Sequence, residues 1–166
     1  MNSRQAEEAR LAYVESGTGA PVVFIHGLTF SRRTWDPIVR RLEGRFRCIA
    51  IDLPGHGASP GVSDALELDD VGHRLHALLT GLGIERPVLV GHSMGAMEAT
   101  VYGATFPVAG IVNVDQTLDV QPFIRLIQEI APVLGGPNFS AAFEPIRLEP
   151  VMHFRAPQER EGPAST

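Results

Sequence analysis

The run Gly91-His92-Ser93-Met94-Gly95 sets a serine between two glycines, with one residue on each side. A serine hydroxyl attacks a carbonyl only if a base takes its proton and fixed donors receive the charge that develops on the carbonyl oxygen. The apolar residues 87–90 before the run read as a strand, and the small-residue stretch 95–106 after it reads as a helix. The serine therefore stands on a sharp strand-to-helix turn, the context in which this motif carries a nucleophile. Such a turn needs a strained serine backbone and small neighbours, a need that Gly91, Gly95 and Ala96 meet. It lifts the Ser93 hydroxyl above the end of the sheet and aims the Met94 N–H, at the start of the helix, toward the same point.

Two further loops close apolar runs: His26-Gly27-Leu28-Thr29, and Asp52-Leu53-Pro54-Gly55-His56-Gly57-Ala58-Ser59. Their glycines permit tight turns, and Ser59 or Ser63 is placed to start the helix that follows. His26, Asp52 and His56 read as residues that shape these loops rather than as acids or bases. His73 and His76 fall on a long helical stretch and read as solvated. His92, beside the serine, points into the surroundings of the sheet, so none of these three suits a base. Downstream of Ser93, Asp115 ends an apolar run and is a candidate acid, with a strand-end or helix-capping aspartate as the plainer reading; Asp119 is a weaker alternative. His153 is the one histidine after Ser93, a weak candidate base because Val151-Met-His-Phe-Arg155 lacks the strand-to-loop setting that would hold it over the serine.

Positioning these residues requires a sheet. Residues 21–26, 46–52, 87–92 and 108–115 lack polar alternation, as strands covered on both faces do. Between them, residues 34–42 put Trp35, Ile38, Val39 and Leu42 on one stripe, and residues 63–82 do the same with Leu68, Val71, Leu75, Leu78, Leu79 and Leu82. Pro107 ends the helix at 95–106. This alternation implies right-handed crossovers and an α/β fold with a doubly wound, mostly parallel sheet, to which residues 9–15 add an antiparallel edge strand. Further on, residues 122–133 suggest a helix and Gly135-Gly136-Pro137 a break. Residues 9–144 form the domain, and 145–166, polar and proline-bearing, read as a disordered or weakly packed tail.

Hydrophobic residues make up 44% of the 166 and charged residues 20%, an ordinary globular balance. Fourteen basic against nineteen acidic side chains leave a net charge of −5, which argues against nucleic acid as a partner. No run is long enough to span a bilayer, and residues 1–10 lack the apolar core of a secretory signal. The single Cys48 lies in an apolar run and reads as a buried inert thiol. A soluble, cytoplasmic protein is expected. Neither a metal cluster nor a phosphate or dinucleotide loop is present in the sequence, so no cofactor and no metal are expected.

The three glycine loops, in this order and with these separations over residues 9–115, resemble the α/β-hydrolase superfamily. The GHSMG form is similar to bacterial esterases, meta-cleavage-product hydrolases and cofactor-free haloperoxidases. The resemblance implies that the Leu28 N–H, after the His-Gly pair, joins that of Met94 in an oxyanion hole. It also implies the order Ser, then Asp or Glu, then His, which Ser93, Asp115 and His153 satisfy, and some members place the acid where Asp115 stands. Full members run to about 250 residues, with the acid after a seventh strand and the histidine after an eighth; this chain reads as C-terminally truncated and lacking those last two strands. The 108–114 strand then becomes an open sheet edge, suited to self-association. Two readings follow: a serine hydrolase of small ester or related acyl substrates with impaired turnover, or a catalytically incomplete relative that binds a partner or is completed by another chain.

Overall fold

Alternate residues of β2 (Ala20–Ile25) face opposite ways: Val22 and Phe24 join one apolar cluster, and Val23 and Ile25 another. The second parallel strand, β3 (Phe46–Ile51), does the same, with Cys48 and Ala50 on the first side and Ile49 and Ile51 on the second. This is why the strands carry no polar alternation: the sheet has a core on each face. Residues such as Phe24, Ile25, Ile49 and Ile51 are at most 1% exposed, and burial of each contributes roughly 1.5–3 kcal/mol.

The computed structural model describes residues 10–61 and 68–116, together with Arg125 and Glu129. The remaining elements are β1 (Tyr13–Ser16), a 3₁₀ turn (Arg32–Trp35), α1 (Asp36–Leu42), α2 (Leu68–Gly81), β4 (Val88–His92), α3 (Met94–Thr105) and β5 (Gly110–Val114). The five strands lie in the order β1-β3-β2-β4-β5. Only β1 runs antiparallel, pairing Tyr13 with Ile51 through Ser16 with Cys48, as the edge strand expected near residues 9–15. Every other pair is parallel, giving the expected mostly parallel α/β sheet.

Trp35, 4% exposed, packs on Phe24 with ring centroids 5.3 Å apart and roots α1 on one face. On the other face, Val71, Leu75 and Leu79 of α2 and Ala99 and Tyr102 of α3 complete the larger cluster. The stretch expected as one helix over 34–42 opens instead with the 3₁₀ turn, and Pro37 sits in the first turn of α1, where its missing N–H costs nothing. At the end of α3, Phe106 is extended (φ −122°, ψ 152°), as a residue before proline must be. Among the described residues no helix is long and apolar enough to cross a membrane.

Two sequence expectations are corrected. Ser59 starts no helix: its hydroxyl accepts the Ala12 N–H at 2.8 Å and donates to the Asp52 carbonyl at 2.6 Å, stitching the loop to the approach of β1. Nor is His76 solvated. Its ring stacks on Phe106 at 3.9 Å and its Nδ1 lies 3.2 Å from the Tyr102 hydroxyl, because α2 packs against α3 along this line. Backbone contacts divide the chain into Met1–Leu118, which holds every element above, and Asp119–Thr166. In the second unit Arg125 and Glu129 are helical, within the predicted helix 122–133. Ser63, Asp119, His153, the break at 135–137 and the tail boundary near residue 145 lie outside the described residues.

Candidate active site

Ser93 follows the last residue of β4 and caps α3, with φ 51° and ψ −122°, a conformation that L side chains rarely adopt. Its surroundings dictate the strain. A Cβ at Gly91 would overlap the Gly95 carbonyl, and a Cβ at Gly95 would overlap the Ile25 carbonyl, so strand, elbow and helix meet backbone to backbone. The Ser93 carbonyl accepts the Ala96 N–H at 2.8 Å, and the Ser93 N–H donates to Val114 of β5 at 3.0 Å. Ser93 itself is half-buried.

The loop after β2 reaches the same point. A Cβ on Gly27 would stand 3.2 Å from Ser93 Cβ and 3.0 Å from His92 Nδ1, tighter than ordinary contact, so this loop lies directly against the elbow. Leu28 follows. Among the described residues, neither the Leu28 nor the Met94 N–H donates to a backbone carbonyl, and Met94 is the first residue of α3, where backbone N–H groups have no intrahelical acceptor.

Three loop residues act as structural ties. His26 is fully buried, and burial pushes its imidazole below the usual range against the opposing effect of the Gly27 carbonyl. The ring is neutral: Nδ1–H donates to Gly27 at 2.7 Å and Nε2 accepts the Leu53 N–H at 3.0 Å, binding the first loop to the second. His56 faces two carbonyls, Pro54 at 2.9 Å and Leu28, and so anchors the Leu28 peptide from behind. Burial alone would raise the Asp52 carboxyl, but the N–H groups of Ala58 (2.9 Å) and Arg32 (2.7 Å) and the Arg32 guanidinium hold it below the usual carboxylate range. Gly57 is glycine because a Cβ there would overlap that carboxylate.

His92 is partly buried, edge-on to Phe30 with centroids 5.5 Å apart, and its buried Nδ1 has no hydrogen-bond partner among the described residues. His73 and His76 belong to the aromatic cluster with Phe106, between α2 and α3. Asp115 is exposed, one residue past β5. The register pairs His92 with Val114, so Ser93 and Asp115 follow at neighbouring strand ends. Among the described residues no three His, Cys, Asp or Glu side chains are grouped to hold a metal ion.

The sequence reading missed Glu98. It is 3% exposed in α3, its Oε2 has no hydrogen-bond partner among the described residues, and burial, aided by Asp69, pushes its carboxyl up to about 8. Its one sequence signal is its place among Ala96, Met97 and Ala99, a segment too apolar to leave any face for water.

The fold and the elbow define the class: the chain belongs to the alpha/beta hydrolase family, whose model matches residues 22–164. The chain is 34% identical over 111 residues to the 2-(acetamidomethylene)succinate hydrolase of Mesorhizobium japonicum, covering 67% of this chain and 39% of that protein. It is 40% identical over 91 residues to a non-heme chloroperoxidase of Kitasatospora aureofaciens, covering 54% and 33%. Among solved structures, a thermophilic esterase from Thermogutta terrifontis matches with TM-score 0.68 and 28% identity over 82% of this chain and 53% of that one. A hydrolase from Pseudomonas aeruginosa shares the fold with TM-score 0.72 at 24% identity, over 85% and 59%. The chain thus spans between a third and two-fifths of these sequence relatives and a little over half of these two structures.

Proposed function

We propose that the chain is an α/β-fold hydrolase that acts on a small ester or related acyl substrate through Ser93, without a cofactor and with turnover well below that of a full-length relative. The observation that carries this reading is the strained Ser93 elbow with the Gly27 loop packed against it. In this mechanism Ser93 Oγ attacks the acyl carbon, and the N–H groups of Leu28 and Met94 receive the charge that forms on oxygen. Collapse of this intermediate expels the protonated leaving group and leaves the acyl-enzyme, whose ester bond water then cleaves to release the carboxylic acid and restore the Ser93 hydroxyl. Asp115 is the acid of this reading, and His153 is kept only as a weak candidate base because Ser93, Asp115, His153 follows the order the family uses.

Low turnover follows from the histidines. Among the described residues His26 and His56 are engaged with backbone, His73 and His76 lie in the α2–α3 cluster, and His92 packs edge-on against Phe30. A second reading, a binding module or a site completed by another chain, is favoured by this shortage together with β5, the edge strand among the described residues, where Ile111 is 38% and Val112 47% exposed. Self-association through that edge belongs to this reading. A cytoplasmic setting accords with the single buried Cys48.

The test is hydrolysis of p-nitrophenyl acetate by wild type, Ser93→Ala and His153→Ala, alongside fluorophosphonate labelling. A slow rate that disappears with Ser93→Ala supports the hydrolase. Triad knockouts elsewhere retain roughly 10³ to 10⁴-fold catalysis over water, so a weak rate is measurable. A wild type that takes no label and shows no Ser93-dependent rate refutes the hydrolase reading and leaves the second.

A further inference from the structure

Among the described residues, two that are not glycine have positive φ: Ser93 at 51° and Asp115 at 59°. They end neighbouring parallel strands one step beyond the His92–Val114 pair, and the Ser93 N–H joins them through the Val114 carbonyl at 3.0 Å. Aspartate tolerates such a positive φ better than most residues, and surrounding bonds hold Asp115 there. Those bonds come from Asn113. Its Nδ2 donates to the Gln116 carbonyl at 2.9 Å, and its Oδ1 accepts the Gln116 N–H at 3.1 Å. One side-chain amide thus makes both bonds of a sheet rung and closes the chain around Val114 and Asp115. Asn113 is exposed, so burial does not oblige it to find partners there.

We propose that Asn113 is a positioning residue for Asp115, its two bonds to Gln116 fixing the turn from which the Asp115 carboxylate serves the site at Ser93. This rests on the reading of Asp115 as the acid of the proposed hydrolase. A clamp at the end of an exposed edge strand contributes little to the fold, whereas an acid that must meet a base loses much of its effect when displaced by about 1 Å.

The experiment measures the rate of Ser93 labelling by a fluorophosphonate, with kcat and KM for p-nitrophenyl acetate, in the full chain. The variants are Asn113→Ala, Asn113→Asp, Asp115→Asn and the double Asn113→Ala/Asp115→Asn, each checked for an unchanged melting temperature. The expected result is a loss of about ten-fold or more for Asp115→Asn and about three- to ten-fold for Asn113→Ala, in kcat and not KM. Asn113→Asp, which keeps the acceptor for the Gln116 N–H, falls between wild type and Asn113→Ala and serves as the reading if the alanine variant does not fold. In the Asp115→Asn background, Asn113→Ala has no further effect. An equal loss in both backgrounds, or no loss from either Asn113 variant while Asp115→Asn is impaired, overturns the positioning role alone. A wild-type rate in Asp115→Asn, or a wild type that takes no label, overturns the acid reading and this inference together.

Discussion

At the junction of β2 and β4 the chain meets itself backbone to backbone, with Leu89 and Ile25 fully buried and no room for a Cβ at Gly91 or Gly95. One strand away, β5 leaves Ile111 and Val112 exposed on opposite sides of the same sheet. The first region admits one arrangement, so it holds a strained serine and the Gly27 loop beside it without help. The second holds Asp115 by a single side-chain clamp. On the proposed reading, the half of the site that holds Ser93 and the Leu28 and Met94 N–H groups is fixed by dense packing, while the half that would activate it depends on a thinly covered rim.

The largest effect that tests this contrast is at the elbow. Gly91→Ala forces a Cβ into the Gly95 backbone, which cannot rotate aside, and we expect a loss of about 3 kcal/mol or more in denaturant unfolding. A loss below about 1 kcal/mol would mean that strand and helix separate easily and that the junction is not the rigid part.

A second test separates the regions by pH. Glu98, in the helix that the elbow starts, has its carboxyl raised from 4.5 to about 8 in the folded chain. The folded state therefore holds the proton more tightly than the unfolded one. Its contribution is fully present below about pH 4.5 and is lost as the pH rises toward 8, with an upper slope of about 1.4 kcal/mol per pH unit. Glu98→Gln should flatten that slope and raise the melting temperature at pH 8. An unchanged pH profile would mean that Glu98 is not the group responsible.

The smallest effect is expected at the rim. Val112→Thr keeps the side-chain shape at a position 47% exposed, so unfolding should shift by less than about 0.5 kcal/mol. A larger loss, especially one that depends on protein concentration, would show that the edge is covered in solution and would erase the contrast.

The strands and the elbow were legible because each rests on local chemistry: apolar runs covered on both faces, and glycines where no Cβ fits. What stayed hidden depends on how helices cross. His76 stacks on Phe106 only because α2 lies along α3, and Glu98 is buried only because the face of α3 that carries it meets neighbouring elements. The bond from Ser59 to Ala12 joins residues 47 apart in sequence, a separation at which no residue pattern speaks. Asp115 was visible as a strand end, but the clamp from Asn113 was not, since Asn-Val-Asp-Gln has no signature apart from the backbone it bends.

The conformation of Ser93 also bears on how such a sequence is inherited. At φ 51° and ψ −122° the position suits glycine better than serine, and strain of this kind costs on the order of 1–3 kcal/mol. Selection for a durable fold alone would favour replacing the serine, and random mutation would supply the replacement. On the proposed reading, a serine kept in so unfavourable a place is one whose hydroxyl matters more than the stability it removes.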